Sequence, residues 1–175
     1  VETPRARSTS YPTRMLAVAS LGWATIQFGR FVLPPFVDTI ETSLGMSSFE
    51  VGLAFTAFTL VYAVTQYPSG AYSDAIGRAT LILPGFLAIL AAFVLLGLST
   101  TALLFWLAMI AFGIGKGLYT PPTRALLGDL FPARRGRALG IYSAGTDVGG
   151  LLGSGVAFVV LGTAALVWQA VFWPL

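Results

Sequence analysis

Three ionisable side chains, Arg30, Lys116 and Asp147, stand inside long apolar runs of the chain. A charge facing hydrocarbon near the middle of a bilayer costs a few kcal/mol, so such residues face protein or water. Each offers different chemistry. The guanidinium of Arg30 grips a carboxylate or phosphate through two parallel hydrogen bonds, whereas Lys116 is a compact point charge. Asp147 is suited to pairing with either cation or to carrying a proton. Gln27 and Gln66 add uncharged hydrogen-bonding groups in similar surroundings. These five form the candidate substrate or ion pathway, with Arg30 as the leading contact for an anionic small molecule.

Other chemistry is excluded by what is missing. The chain has no Cys and no His. Disulfides, thiolate chemistry, Cys/His zinc sites and Ser-His or Cys-His catalytic pairs are therefore ruled out. The buried charges form neither a carboxylate pair nor a metal set, so no enzyme, cofactor or metal site is expected. An intramembrane lipid-processing protein is one alternative reading. A structural membrane subunit without a pathway is the other.

The elements that position these residues follow from hydropathy. Hydrophobic residues make up 56% of the chain and charged residues 10%, against about 25% charged in soluble domains. Crossing a bilayer takes about 20 apolar residues, because the hydrocarbon core is about 30 Å thick and a helix rises about 1.5 Å per residue. Five stretches qualify: 15–37, 49–69, 79–98, 101–122 and 138–161. A partial sixth occupies 163–175, and residues 1–14 form a polar tail. The expected fold class is an all-α membrane protein with five complete transmembrane helices and the start of a sixth. The chain opens on Val1 and closes within an apolar stretch, so it is expected to be a fragment.

Charge placement sets the expected orientation. Arg5, Arg7 and Arg14 precede the first span, Arg78 follows the second, and Arg124, Arg134, Arg135 and Arg137 follow the fourth. All lie on one side, which the positive-inside rule makes cytoplasmic, giving a multi-pass cell-membrane protein with its N-terminus inside. By helix rise, Arg30 is then roughly 22 Å from the cytoplasmic end of its span, Asp147 roughly 14 Å and Lys116 roughly 10 Å. The net charge of +3 is spread over segment flanks and short loops. No basic face tracks a phosphate backbone, so nucleic acid is not an expected partner.

Helical spacing puts polar stripes on four of the spans. They are Trp23, Gln27, Arg30 and Pro34; Thr56, Thr59 and Gln66; Lys116, Thr120 and Thr123; and Ser143, Asp147, Gly150 and Ser154. The third span has none beyond Thr80. Four striped helices and one apolar all round imply a shared wet interior with the third helix at the rim. Pro34–Pro35 and Pro121–Pro122 read as helix ends.

Three segments carry a family resemblance. Gly70-Ala71-Tyr72-Ser73-Asp74-Ala75-Ile76-Gly77-Arg78, between the second and third spans, resembles the G-x-x-x-D-x-x-G-R loop of the major facilitator superfamily. Gly70 would let the helix end approach a neighbour, and Gly77 suits a tight turn with positive φ. Asp129-Leu130-Phe131-Pro132-Ala133-Arg134-Arg135-Gly136-Arg137-Ala138 is similar to the family's segment between helices four and five. In the fifth span, Gly140, Gly149 and Gly153 match the spacing of the glycine motif of family antiporters, with Ser154 in place of its Pro. Gly145, Gly149 and Gly153 also form a small-xxx-small ridge for helix packing. Met109 and Phe112 replace the Arg and Gln that the family carries in the fourth span.

The resemblance implies the N-terminal half of a secondary transporter that works by alternating access. It implies a conformational latch of Gly70, Asp74, Gly77, Arg78, Asp129 and Arg135, and a missing C-terminal half as partner in the lipid bilayer.

Overall fold

The computed structural model describes residues 11–163 and 167–173 of the 175-residue chain. The described residues are helical, with no strand among them: α1 Tyr11–Val32, α2 Val37–Leu44, α3 Ser48–Ile76, α4 Arg78–Gly97, α5 Ala102–Leu130 and α6 Arg135–Gly162. Short 3-10 turns cover Pro34–Phe36, Pro132–Arg134 and Trp168–Phe172. Five stretches are long and apolar enough to cross a membrane: Tyr11–Leu44, α3, α4, α5 and Pro132–Gly162. Arg5 and Arg7 lie outside the described residues, as do 164–166 and 174–175 of the sixth segment. The described start of that segment is the turn Trp168–Phe172.

Two helices run well past the expected spans. With 29 residues each, α3 and α5 are about 44 Å long and exceed an apolar core of about 30 Å. Most of the Gly70–Arg78 motif is therefore helix rather than loop. The link between α3 and α4 is Gly77 alone, at φ 87° and ψ 136°. A side chain is strained at that φ, so glycine is required there. Gly70 lies well inside α3, and a Cβ on it would meet Pro121 at an ordinary 3.6 Å. It does not mediate a close approach at the helix end.

The two proline pairs differ: α1 ends at Val32, just before Pro34–Pro35, whereas α5 runs on through its pair. Pro121 and Pro122 sit within α5, which continues to Leu130. Pro122 has no N–H to give Leu118 four residues back, and the Ser69 hydroxyl of α3 donates to that carbonyl instead, at 3.2 Å. A neighbouring helix thereby satisfies the freed backbone group. At Pro34–Pro35 the chain passes through a 3-10 turn and resumes as α2.

Helix α5 packs against both α3 and α4, while α1 pairs mainly with α6 and also meets α5. The tight contacts centre on glycines. Gly113 and Gly117 of α5 leave room for Phe58 and Thr65 of α3, and Gly115 lies against Gly85 and Ile89 of α4. Gly145, Gly149 and Gly153 of α6 lie on the α1 backbone at Ser20, Ala24 and Phe28. Gly140 is open to space and takes no part in that ridge, contrary to its grouping in the motif.

The two ends differ. The basic end gathers the start of α1 and the α3–α4 and α5–α6 junctions. At the far end, Trp168 donates to Ser43 at 3.1 Å and Gln169 to the Ser99 carbonyl at 2.9 Å. The Ser47–Glu50 capping box starts α3 there, and Thr101 caps α5.

This packing separates the glycines of α6 by their tolerance of a methyl group. A Cβ on Gly149 would overlap the Ala24 carbonyl and sit 2.9 Å from Phe28 N. Gly149→Ala should cost about 1–3 kcal/mol through overpacking and lower the unfolding midpoint in detergent. Gly140→Ala should leave it unchanged or slightly raised, since alanine is the better helix former.

Candidate functional site

Trp23 organises a cluster of cations and aromatic rings. Its indole N–H donates to Thr146 Oγ1 on α6 at 2.9 Å, and its ring stacks on Tyr142 with centroids 5.3 Å apart. The Lys116 ammonium lies 5.6 Å from the Trp23 ring, 5.4 Å from Phe58 and 4.6 Å from Tyr62. The Arg124 guanidinium lies 5.7 Å from Trp23 and 6.0 Å from Tyr142. These are cation–π distances, and the attraction grows as water is removed. Lys116 is only 3% exposed, whereas Arg30 and Arg124 are exposed. Both arginines are close enough to Lys116 for their charges to repel it. None of the three pairs with a carboxylate among the described residues.

Helical spacing explains the convergence. Trp23, Gln27 and Arg30 recur along one face of α1, as Phe58 and Tyr62 do on α3 and Lys116, Thr120 and Thr123 on α5. Room for the contacts comes from glycines: Gly29 admits the rings of Phe93 and Phe112, and Gly117 lies against the backbone of Gln66. The Tyr119 hydroxyl donates to the Ala19 carbonyl at 3.0 Å and ties α5 to α1 beside the cluster.

Of the five pathway candidates, Arg30 and Lys116 lie within reach of each other's charge, and Gln27 shares the α1 face with Arg30, whose guanidinium is 5.4 Å from the Phe31 ring. Gln27 is buried with Oε1 unpartnered. Gln66 is half-buried one turn beyond Tyr62. Asp147 is exposed on α6 and makes no ion pair among the described residues. It does not serve as a partner for Arg30 or Lys116 here. The α3 stripe also divides: Thr56 and Thr59 are exposed, with hydroxyls bonded back to the Gly52 and Phe55 carbonyls. The sequence reading places Arg124 in the connection after the fourth span, whereas the structure carries it inside α5. Its signal is the two-turn interval from Lys116, visible only if the helix is carried through Pro121–Pro122.

A second set of charges lies at the basic end. Arg78 bridges Asp74 at 3.0 Å and Asp129 at 2.7 Å, tying the α3–α4 junction to the end of α5. The Arg78 side chain is 20% exposed, against 77% for Asp74 and 64% for Asp129. Arg135 makes neither bridge and packs over Gly128, where a Cβ would sit 2.9 Å from its Nε. The arrangement clasps two helix ends through one shared guanidinium.

Comparison with known proteins follows the same lines. The profile of the Major Facilitator Superfamily matches residues 19–174. Multidrug resistance protein MdtH of Shigella dysenteriae serotype 1 (strain Sd197) is 31% identical over 134 residues, covering 74% of this chain and 33% of its own. MdtH of Yersinia pestis (strain Pestoides F) is 33% identical over 135 residues, covering 74% and 34%. The uncharacterized MFS-type transporter Rv1250 of Mycobacterium tuberculosis (strain ATCC 25618 / H37Rv) is 32% identical over 153 residues, covering 85% and 26%. The chain thus spans between 26% and 34% of the length of these curated relatives.

The geometry around Lys116 has a measurable consequence. A buried ammonium without a counter-ion loses several kcal/mol of hydration, and two nearby guanidinium groups oppose it further. Lys116→Met keeps the length and removes the charge. Its unfolding temperature in detergent should match or exceed that of the unmodified protein. A fall equivalent to more than about 1 kcal/mol would mean that the aromatic faces outweigh the cost of burial.

Proposed function

The chain belongs to the major facilitator superfamily and is a multi-pass membrane protein, and we propose that it is one half of a secondary transporter that moves a small anionic solute by alternating access. One observation carries the charge preference: Lys116 and Arg124 both lie over Trp23, exposed Arg30 stands two turns farther along α1, and no carboxylate pairs with any of the three among the described residues. Three unneutralised cations on helices of membrane length favour a ligand that brings negative charge. Exposed Arg30 and Arg124 contact the solute, while buried Lys116 adds to the field from beneath. The rings of Trp23, Tyr62 and Tyr142 suit a solute that is also partly apolar.

In this proposal the second half of the transporter closes over the cluster, and the two halves rock about it in turn. The basic end faces the cytoplasm, the orientation that the positive-inside rule supports. Arg78, Asp74 and Asp129 then hold together the cytoplasmic ends of α3, α4 and α5 in one of the two states.

Flux of a radiolabelled carboxylate into proteoliposomes containing both halves tests the charge preference. A hydrogen bond to a charged group contributes about 1.5–3 kcal/mol, so Arg30→Gln and Arg124→Gln should each weaken anion binding by roughly tenfold or more. Arg30→Lys should also lose affinity, because it keeps the charge and loses the bidentate fork. Anion flux through the Arg30→Gln/Arg124→Gln double variant equal to that of the unmodified protein would refute the proposal.

The clasp is tested by separating binding from turnover. Exposed ion pairs contribute about 0–1 kcal/mol each, so Asp74→Asn and Asp129→Asn should change stability little. Both should slow transport while solute affinity stays within a few-fold, and a double-mutant cycle should show coupling through Arg78. Lost binding with an intact translocation rate would show that the clasp serves the solute site instead.

A further inference from the structure

The three arginines around the start of α6 point to different surroundings. Arg135 lies over Gly128 on the α5 side. Arg134 and Arg137 line a pocket of about 210 Å³ together with Leu16 of α1 and with Phe131, Ala138 and Ile141. Arg134 is placed there by the 3-10 turn after Phe131, whose carbonyl accepts the Arg134 N–H at 3.1 Å. Neither Arg134 nor Arg137 forms an ion pair among the described residues, and no carboxylate lines the pocket. The nearby Asp129 is already engaged by Arg78.

From this we infer that the pocket between α1 and α6 holds an anionic phospholipid, its phosphate between Arg134 and Arg137 and the upper part of an acyl chain on Leu16, Phe131 and Ile141. The layout has the two zones of such a molecule in the right order. The arginines stand at the basic end, Arg134 just before α6 and Arg137 in its first turn, and both are exposed. Ile141 lies about 6 Å deeper along the helix than Arg137 and is 47% exposed, so its side chain is not taken up by packing within this chain. A free phosphate would match the arginine rim and leave the apolar floor unused. A zwitterionic lipid would match the floor and bring a choline or ethanolamine cation to the arginines. An anionic headgroup on an acyl chain satisfies both, and arginine is suited to grip its phosphate through paired hydrogen bonds.

Occupancy here would link the starts of α1 and α6 at the membrane surface, next to the clasp but separate from the Trp23 cluster. The inference depends on none of the transport reading, because it is read by lipid binding alone.

Native mass spectrometry of the detergent-purified protein, titrated with phosphatidylglycerol or with phosphatidylcholine of the same acyl chains, tests it. Phosphatidylglycerol should bind at least tenfold more tightly. Near the membrane surface each arginine contributes about a fivefold factor, so Arg134→Gln/Arg137→Gln should weaken phosphatidylglycerol binding roughly thirtyfold. Phosphatidylcholine binding should be unchanged, which also reports that the variant is folded. Ile141→Glu keeps both arginines but puts a carboxylate on the floor, and it should abolish the preference as well. An unaltered preference in either variant would overturn the inference. So would displacement of phosphatidylglycerol by millimolar inorganic phosphate, since that outcome marks a site for the free anion.

Discussion

Lipid tails wet a leucine side chain about as well as another leucine does, so helices in a bilayer gain little from burying apolar surface against one another. Their association rests on close van der Waals contact and on hydrogen bonds between them. In this chain that requirement falls on glycines. Gly145, Gly149 and Gly153 bring α6 onto the α1 backbone, Gly113 and Gly117 bring α5 to α3, and Gly85 with Gly115 brings α4 to α5. Large apolar residues such as Leu83, Leu87 and Leu151 stay exposed on the outer faces. That pattern would be a liability in water and is the expected surface in hydrocarbon.

Close packing determines where the polar groups lie. With α1, α3, α5 and α6 drawn together, the indole of Trp23 reaches Thr146 and stacks on Tyr142, and Lys116 enters a cage of three rings. The aromatic faces offer partial compensation to a cation that has no anion. Burial withholds water from Lys116, while exposed Arg30 and Arg124 keep theirs. The cluster therefore holds one desolvated charge flanked by two accessible ones. The charges at the basic end follow another rule. Arg78, Asp74 and Asp129 form a mutually neutralising set near water, and Arg134 and Arg137 are left for whatever anion the surface supplies.

Several features were legible because they depend on short-range periodicity or on backbone sterics. Five long apolar stretches with short polar links already implied the helix bundle, since a chain in lipid must satisfy its backbone hydrogen bonds internally. Gly77 was readable as a positive-φ residue, and the α6 ridge at Gly145, Gly149 and Gly153 as a packing face, because spacing alone puts those three on one side. Helix limits were not legible. The run through Pro121–Pro122 is accompanied by Ser69, almost fifty residues before Leu118, donating to the carbonyl that Pro122 leaves free. From the proline pair alone α5 is expected to end early, which makes Arg124 a loop residue.

The sequence by itself determined the fold class, the number of long apolar helices, the concentration of arginine at one end and the candidacy of Arg30 and Lys116. Each follows from composition and period, which act within one helix. Tertiary structure decided which charges meet. It put Arg124 over Trp23, set Asp147 apart from the cations, separated Arg135 from the Arg78 bridges, and left Gly140 without a neighbour. The reason is geometric: periodicity assigns a residue to a face of its own helix, but the rotation and depth at which two helices meet depend on the glycine contacts between them. A rotation of about 100°, the angle between successive residues, would be enough to exchange one partner for another.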